Sequence, residues 1–346
     1  MSTLWNNAMH THQHPCTCFI IPSKVLRKLA DEATDAERQI LLDQIEQSAH
    51  IRGQRSVTSL VGLGTGEKRR TVYDAQYQAT LPGRLVRGET DQPGTDKAVN
   101  QAFDGAGATY DFFMQVLKRN SIDGKGLRLN STVHYKKDFN NAFWDGRQMV
   151  YGDGDGKRFL NFTGAVDVIA HELTHGITQF SVPGGGLVYA DQSGALNESI
   201  SDVFGSMVKQ WTLKHTVDKA DWLIGAGIMA PKVGKALRSM ADPGNPALTW
   251  SGDDQPKTMS KYVAGGDVHT NSGIPNHAFY VTAMLLKGHS WDKAGPIWYQ
   301  ALSLLTPNAS FAEAATATMQ AASLLYGANS PEQLAVQRGW KEVGVV

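Results

Sequence analysis

The spacing of apolar residues changes along the chain and divides it into two main parts. From about residue 56 to 164, short apolar runs such as 132–135 and 148–151 alternate with Gly, Asp and Asn, which is typical of strands and turns. One helical period, over 98–117, interrupts this part. From residue 165 onward helical periods dominate, and we predict helices over 165–180, 194–213, 273–286 and 311–325. The expected fold class is α+β, with a β-rich lobe followed by a helical lobe.

The first 52 residues differ from both parts. They begin with an irregular stretch rich in His, Cys and Pro, and a helical segment follows. Thr34 and Glu37 have the spacing of a capping box at a helix start. Ile40, Leu41 and Ile45 then form an apolar stripe, which predicts a small amphipathic helix docked on the main body. We therefore divide the chain into residues 1–52, 53–164 and 165–346.

Composition excludes several classes of protein. The 346 residues carry 33 Lys plus Arg and 33 Asp plus Glu without a block of like charge, so we expect no nucleic-acid or membrane-surface partner. No apolar run is long enough for a transmembrane helix. The two cysteines, Cys16 and Cys18, cannot form a disulfide framework for the body of the protein. The N-terminus lacks a secretory signal pattern, which predicts cytoplasmic synthesis and leaves export by a non-classical route open.

The strongest chemical signal is an H-E-x-x-H pattern within an apolar helical run. His171 and His175 are four residues apart, so both imidazoles project from one helix face and can bind one zinc ion. Glu172 then lies beside the metal, where a general base can take a proton from an activated water. The pattern also arises by chance on exposed helix faces, so it needs support from elsewhere.

That support comes from a second helical segment. A catalytic zinc usually has three protein ligands and one open position, and Glu198 is the candidate third ligand. Asp202 lies one turn later on the same face, placed to accept the outer N–H of a ligating histidine. Alone, this segment would be an ordinary solvated helix face. Beside the upstream pattern, a metal site is the better interpretation.

These residues resemble the thermolysin-like zinc metalloproteases, whose signature is HExxH followed by NExxxD; the latter begins here at Asn197. The resemblance extends from about residue 70 to 346, through the segments 133–135, 140–144, 149–156, 193–198, 237–240 and 268–273. It implies a two-lobed zincin fold with one catalytic zinc in the cleft between the lobes. It also implies polypeptide substrates, and we expect a monomer.

The short N-terminal region resembles the propeptides of the protealysin branch of that family. This implies that residues 1–52 are a removable propeptide that acts as an intramolecular inhibitor. A thiolate from Cys16 or Cys18 could occupy the open zinc position, while the apolar run of residues 19–21 fills the substrate cleft. The alternative is that both cysteines are simple thiols and that the apolar run only packs.

The resemblance also assigns roles to residues that chemistry alone would not single out. The Asn141 side chain and Ala142 backbone would hold the substrate as an added strand, and Arg238 would bind a substrate carbonyl. Tyr189 and His269 would stabilise the oxyanion. Without the resemblance, Tyr189 would be a core tyrosine and His269 a loop histidine.

Five apolar positions match the family's substrate pocket. By themselves they would be interpreted as core residues. The resemblance implies instead a preference for a bulky hydrophobic residue just after the cleaved bond. The five are Phe159, Phe162, Val168, Ile224 and Leu237.

The chain departs from the family at its double calcium site. Among the acids of that site only Asp167 and Asp221 remain, and Lys209, Leu223 and Ala226 replace others. Calcium needs six to eight oxygen ligands, so we predict that the double site is absent, while calcium elsewhere stays open. Lys209 could replace the ions by pairing with Asp167 or Asp221, or could be a solvated surface lysine.

Two further departures lie around the cleft. Ala264 occupies the position at which the family has a carboxylate that orients the oxyanion histidine. Asp267 is the candidate replacement, although spacing alone does not fix its geometry. Residues 182–186 lengthen the link before Tyr189, which we interpret as a loop insertion at the cleft edge.

The sequence thus predicts a zinc-dependent neutral endopeptidase that is made as a zymogen. One alternative is a catalytically silent zinc-binding protein with a permanent N-terminal segment. Retention of Glu172 and three ligands rather than four argue against it. A non-peptidase zinc hydrolase is the other alternative, and the strand-like element Asn141–Ala142 favours an extended polypeptide substrate instead.

Overall fold

The computed structural model describes residues 18–54 and 67–346, with the backbone alone for 49–54. Cys16 lies outside the described residues. We call residues 18–54 the N-terminal segment, and it consists of β1 (Cys18–Phe19), α1 (Ser23–Asp31) and α2 (Asp35–Gln54). Within the described ranges no helix is both long enough and apolar enough to cross a membrane.

A six-stranded mixed sheet organises the first lobe. The strand order is β1-β5-β6-β4-β2-β3, with β2–β4 and β4–β6 parallel and the other pairs antiparallel. The helix α3 packs on β2 and β4, and begins where the Asp96 side chain accepts two backbone N–H bonds. The elements are β2 (Arg70–Asp74), β3 (Arg84–Gly88), α3 (Lys97–Leu117), β4 (Leu129–Val133), β5 (Ala142–Trp144) and β6 (Met149–Tyr151).

The second lobe is helical, apart from the small antiparallel pair β7–β8. Its centre is the extensive packing of α4 against α5. The elements are α4 (Val166–Ser181), α5 (Asp191–Leu213), β7 (Leu223–Ile224), β8 (Arg238–Ser239), α6 (Val268–Asn271), α7 (Gly273–Leu286), α8 (Ala294–Ala301), α9 (Phe311–Tyr326) and α10 (Pro331–Glu342). The predicted helices are confirmed with small changes at their ends. The apolar spacing does not predict α10, although Ser330 as N-cap and Pro331 at the first turn mark its start.

The N-terminal segment packs against both lobes, on the side of the cleft, through its strand and its helices. Leu41 is buried as predicted and Ile45 is partly buried, but Ile40 is 44% exposed, so its assignment to the docking face is wrong. The polar Gln44 takes that place, because its side chain bonds to the backbone of Asp138 and Asn140. The predicted helix start is present in part, since the Glu37 carboxylate accepts hydrogen bonds from Thr34.

Candidate active site

The three predicted metal ligands converge between α4 and α5. His171 Nε2 lies 3.1 Å from His175 Nε2 and 3.4 Å from Glu198 Oε2, and His175 Nε2 lies 3.6 Å from Glu198 Oε1. All three side chains are buried. The helices approach this closely because Gly205 of α5 faces α4, where an added Cβ would lie 2.6 Å from the Asp167 carbonyl oxygen.

Each imidazole is oriented through its outer nitrogen. His171 Nδ1 lies 2.8 Å from Asp202 Oδ1, as predicted, and His175 Nδ1 lies 2.7 Å from Asn197 Oδ1. Because these oxygens accept a hydrogen bond, both Nδ1 atoms carry the proton. Ser201 Oγ, 3.1 Å from His175 Nδ1, was missed, although it lies one helical turn after Asn197 and spacing could have indicated it.

The donor set fits a zinc ion. With both Nδ1 atoms protonated, the two Nε2 lone pairs face each other across 3.1 Å, an arrangement that repels unless a cation lies between them. Glu198 Oε2 is buried and has no hydrogen-bond partner among the described residues. Two imidazoles and a carboxylate around an open position form the donor set of catalytic zinc sites.

Glu172 follows His171 on α4 and is fully buried. Its Oε2 accepts a hydrogen bond from the Trp144 backbone N–H at 3.1 Å, while its Oε1 has no partner in the described part of the chain. Burial raises the pKa of Glu172 to about 8, against the opposing effect of the nearby His171. The carboxyl can therefore exchange a proton near neutral pH.

Tyr189 and His269 both contact Glu198, the ligand from α5. The Tyr189 hydroxyl donates to Glu198 Oε1 and lies 3.3 Å from His269 Nε2. His269 Nδ1 lies 2.8 Å from Asp267 Oδ1, and Asp267 also caps α6 by accepting the His269 backbone N–H. Asp267 thus makes the orienting contact that Ala264 cannot make.

Asp202 is itself held by two partners that connect the site to the rest of the helical lobe. Arg238 forms a bidentate ion pair with it, with Nε–Oδ2 and Nη2–Oδ1 distances of 2.8 Å. Asn276 Nδ2 donates to Asp202 Oδ2 at 2.9 Å. Neither contact is predicted from the sequence, because α7 and β8 reach the site only through tertiary packing.

The main chain of the N-terminal segment crosses the cleft as an added strand beside β5. The Ile20 N–H donates to the Ala142 carbonyl at 3.2 Å. The Ile21 N–H donates to Asn141 Oδ1 at 2.9 Å, and Asn141 Nδ2 donates to the Ile21 carbonyl at 3.0 Å. The two residues predicted to hold a substrate therefore hold this segment.

The carbonyl oxygens of Phe19 and Ile20 also contact predicted site residues. His269 Nε2 lies 3.0 Å from the Phe19 carbonyl oxygen, and Arg238 Nη1 donates to the Ile20 carbonyl at 3.4 Å. The Phe19 side chain packs on Phe143, with ring centroids 4.8 Å apart. Residues 19–21 are all buried, as expected of a segment that fills the cleft.

Cys18 lies at the metal-ligand cluster. One ligand atom each from Cys18, His175 and Glu198 lie within 4.8 Å of one another, and all three residues are buried. The five predicted pocket residues are also buried and share one apolar cluster with Ile20. They are Phe159, Phe162, Val168, Ile224 and Leu237.

A second polar cluster joins α4 to α5 around Lys209, Asp167 and Asp221, the residues from which the sequence predicts loss of the double calcium site. Lys209 Nζ lies 3.2 Å from Asp167 Oδ2, 2.8 Å from Asp221 Oδ1 and 2.5 Å from the Leu223 carbonyl. Burial lowers the pKa of Lys209, but Asp167 and Asp221 outweigh this effect and raise it above its usual value. Lys209 is therefore a charged and largely buried member of the cluster rather than a solvated surface lysine.

Two domain models match the chain. The catalytic domain of thermolysin metallopeptidase matches residues 48–179, and its alpha-helical domain matches residues 185–345. The chain belongs to the thermolysin family of metallopeptidases. It is 46% identical over 339 residues to an extracellular metalloprotease of Pectobacterium carotovorum subsp. carotovorum, which covers 95% of this chain and 96% of that relative.

Two other similar proteins match different fractions of this chain. Thermolysin of Alicyclobacillus acidocaldarius subsp. acidocaldarius is 42% identical over 284 residues, covering 79% of this chain and 50% of that protein. The precursor of protealysin, a metalloproteinase from Serratia proteamaculans, superposes with a TM-score of 0.84 at 45% identity, covering 95% of this chain and 100% of that one.

Membership of the thermolysin family confirms the main predictions. The chain has the two-lobed zincin fold, is a zinc metalloendopeptidase and carries an N-terminal segment like that of the protealysin precursor. The alternative of a catalytically silent zinc-binding protein is not supported. The family alone does not assign roles to individual residues.

Proposed function

We propose that this enzyme hydrolyses polypeptides in the cleft between its lobes, with the residue roles set out below. The observation that carries the proposal is a peptide main chain, residues 19–21, held across a buried cluster of two imidazoles and a carboxylate. An extended chain is thus bound where the chemistry of peptide hydrolysis is available.

The chemistry is divided between a metal and a base. Zinc, held by His171, His175 and Glu198, would polarise the scissile carbonyl and make a water molecule more acidic. Glu172 takes the proton of the attacking water and returns it to the leaving amide nitrogen. Its buried Oε1, which has no hydrogen-bond partner in residues 18–54 and 67–346, is the atom available for this transfer.

Tyr189 and His269 act on the carbonyl oxygen. Both donate a hydrogen bond to it as it gains negative charge, which stabilises the transition state by about 3 kcal/mol per donor. The position of His269 Nε2, 3.0 Å from the Phe19 carbonyl oxygen, supports this role. Asp267 accepts the Nδ1–H of His269. Burial lowers the pKa of His269, but Glu198 and Asp267 outweigh it and raise the pKa above its usual value, which favours the imidazolium that carries the second, donating proton on Nε2.

Substrate binding uses the contacts that the N-terminal segment makes. Asn141, Ala142 and Arg238 bind the extended main chain around the scissile bond, in the manner of strand addition. The five pocket residues are apolar and buried, and we expect them to favour a bulky hydrophobic side chain just after that bond.

The N-terminal segment is, in this proposal, an intramolecular inhibitor. It competes with substrate because it uses the same donors and acceptors. Residues 1–52 would be the propeptide, 53–164 the β-rich lobe and 165–346 the helical lobe. Cleavage between the first two would release the cleft.

Cys18 would contribute to latency by binding zinc as a thiolate in the position that water needs. Its place beside His175 and Glu198 supports this role. The test uses the inactive Glu172→Gln precursor loaded with cobalt(II), in which a thiolate ligand gives a charge-transfer absorption. Cys18→Ser should abolish the band and the matched control Cys16→Ser should retain it. A band unchanged in Cys18→Ser would refute the ligand role.

Further expectations concern ions, assembly and location. We propose that the double calcium site is absent, with Lys209 in its place, and that the enzyme is a monomer without nucleic-acid or membrane partners. We also propose cytoplasmic synthesis and export by a non-classical route, as one relative is named an extracellular metalloprotease. Cell fractionation with a cytoplasmic marker tests the last point.

The decisive experiment follows full-length wild type and Glu172→Ala over time. Intact mass, zinc content and cleavage of an internally quenched peptide with Phe or Leu after the scissile bond are recorded together. We expect the wild type to hold one zinc, lose about fifty N-terminal residues and become active, while the variant holds zinc and stays whole. Cleavage by the variant at the wild-type rate would contradict the role of Glu172.

A further inference from the structure

The surface under the N-terminal segment continues beyond the catalytic cleft. Two neighbouring depressions lie between the segment and the enzyme body, and they share Trp250 and Gly252. The near depression borders the cleft, and includes Arg238, Asp254, His269 and Thr270. The far depression includes Lys157, Arg158 and Lys232.

The near depression binds a basic side chain of the segment. Lys24 forms an ion pair with Asp254, and its Nζ donates to Thr270 Oγ1 at 3.2 Å. Lys24 is the fifth residue after the Phe19–Ile20 bond, whose carbonyl faces His269. This ammonium therefore lies on the side of the cleft that receives the residues after a scissile bond.

The far depression binds acidic side chains. Glu37 Oε1 lies 2.6 Å from Lys157 Nζ, and Glu37 Oε2 lies 3.3 Å from Arg158 Nη2. Asp31 and Glu32 line the same depression as Lys232.

Other charged groups face this surface. From the enzyme body, Asp155 contacts Arg158 at 3.3 Å. From the segment, Lys28 donates to the Gly252 carbonyl and lies over the Trp250 ring.

Departure of the segment changes the charge of this surface. The enzyme body retains Asp254 at the near end and the three cations Lys157, Arg158 and Lys232 at the far end. Among the described residues, only Arg158 of these three forms an ion pair with a carboxylate of the body, that of Asp155. The surface thus remains negative close to the cleft and positive farther out. A chain that leaves the cleft along the path of the N-terminal segment passes both ends.

We infer that the mature enzyme uses this surface as an extended subsite for residues after the scissile bond. It favours a lysine or arginine at the third to fifth position and acidic residues farther along. This inference rests on the proposed function, because it needs a substrate that binds in the direction of the N-terminal segment.

The test uses self-processed wild type and internally quenched peptides of about twenty residues with one common core. One peptide carries lysine near the bond and glutamates farther along, and the other carries the reverse order. We expect kcat/KM to be about three- to tenfold higher for the first, since exposed ion pairs are weak individually, and the ratio to fall at high salt. A short peptide that ends two residues after the bond reports the core activity.

Charge-reversal variants locate the effect. Asp254→Lys should invert the preference near the bond, and Lys157→Glu combined with Lys232→Glu should invert the preference farther along. Glu342→Lys and Lys219→Glu make charge changes of the same sign at exposed positions of α10 and of the loop after α5, and should keep the wild-type ratio.

The outcomes separate this inference from the function on which it rests. Equal cleavage of both long peptides, with normal cleavage of the short one, overturns the subsite and leaves the protease function standing. Ratios that shift equally in the control variants show a net-charge effect and also overturn it. Failure to cleave even the short peptide removes the proposed function and the subsite together.

Discussion

The helices α4 and α5 join through two polar clusters that differ in one respect. Around Lys209, three N–H donors meet three acceptors from Asp167, Asp221 and Leu223, so the cluster is closed. Around Glu198, two imidazole Nε2 atoms and a carboxylate lie 3.1–3.6 Å apart, and Glu198 Oε2 has no hydrogen-bond partner among the described residues. One helix pair therefore holds one site that needs an ion and one that supplies its own charge.

The difference is visible in the residue types. In the Lys209 cluster, a lysine of α5 supplies the positive charge. In the Glu198 cluster, Asp202 and Asn197 only orient the imidazoles. A cluster that contains its own cation needs no added ion, but it leaves no open position for chemistry. The catalytic cluster keeps that position open, and a bound metal must supply the positive charge that stabilises it.

The largest expected effect is that of metal removal. Treatment of the mature enzyme with a zinc chelator should reduce peptidase activity to background, and zinc should restore it while calcium should not, because only the open cluster depends on an ion. Zinc content and peptide cleavage are measured on the same samples. Full activity at a zinc content near zero would contradict the view that the Glu198 cluster needs an ion.

Reversal of charge in the closed cluster should cost stability instead. Lys209→Glu places a third carboxylate beside the buried Asp167 and the half-exposed Asp221. We expect a loss of about 3 kcal/mol in the free energy of unfolding, at the lower end for a broken buried pair because Asp221 is partly solvated. Millimolar calcium should recover part of this loss in the variant and leave the wild type unchanged. Denaturant unfolding with and without calcium measures both. A melting temperature that neither change moves would show that Lys209 does not replace the ions.

Removal of one donor in the open cluster should reduce catalysis without loss of metal. Tyr189→Phe deletes the hydroxyl that bonds to Glu198, and we expect kcat to fall about 100-fold, or about 2.7 kcal/mol. Zinc content and the inhibition constant of a substrate-like peptide should change little. A fall in zinc content of the same size would assign Tyr189 to metal retention instead.

A closed histidine cluster in the other lobe gives the smallest effect. His134 lies 2.8 Å from Asp153 and 2.9 Å from Asp96, with carboxylates on both nitrogens. The Asp153 hydrogen bond, opposed by burial and helped by Asp96, raises the pKa of His134 to about 9. Because this value exceeds the unfolded value of 6.5, the stabilisation is complete below pH 6.5 and is lost as the pH rises through 9.

The contribution of His134 should be on the order of 1–2 kcal/mol, after allowance for solvent screening of a partly exposed group. Unfolding of wild type and His134→Gln is compared between pH 6 and 10. We expect the stability gap to narrow with rising pH. A gap that is constant over this range would contradict the assignment.

The sequence predicts the metal ligands because helix geometry alone brings them together. His171 and His175 are one turn apart on α4, and Glu198 and Asp202 are one turn apart on α5. Local spacing also predicts the helix α2 of the N-terminal segment. It fails for Ile40, whose exposure depends on which side of α2 meets the enzyme body.

Contacts between remote segments could not be predicted in this way. Asn276 and Arg238 reach Asp202 from α7 and β8, and the Trp144 N–H reaches Glu172 from β5. The geometry of Asp267 is an intermediate case, since it is adjacent in sequence but depends on the short helix α6 that it caps. Local periodicity therefore yields the ligands, and tertiary packing yields the groups that support them.

The pairing of β1 with β5 has a consequence for handling and storage of the protein. In the precursor β1 occupies one end of the six-stranded sheet and covers the hydrogen-bonding edge of β5. Loss of the N-terminal segment uncovers that edge, which can then recruit any extended chain, including another copy of the enzyme. We expect concentrated precursor to remain clear and monodisperse where concentrated mature enzyme, even with Glu172 disabled, forms aggregates.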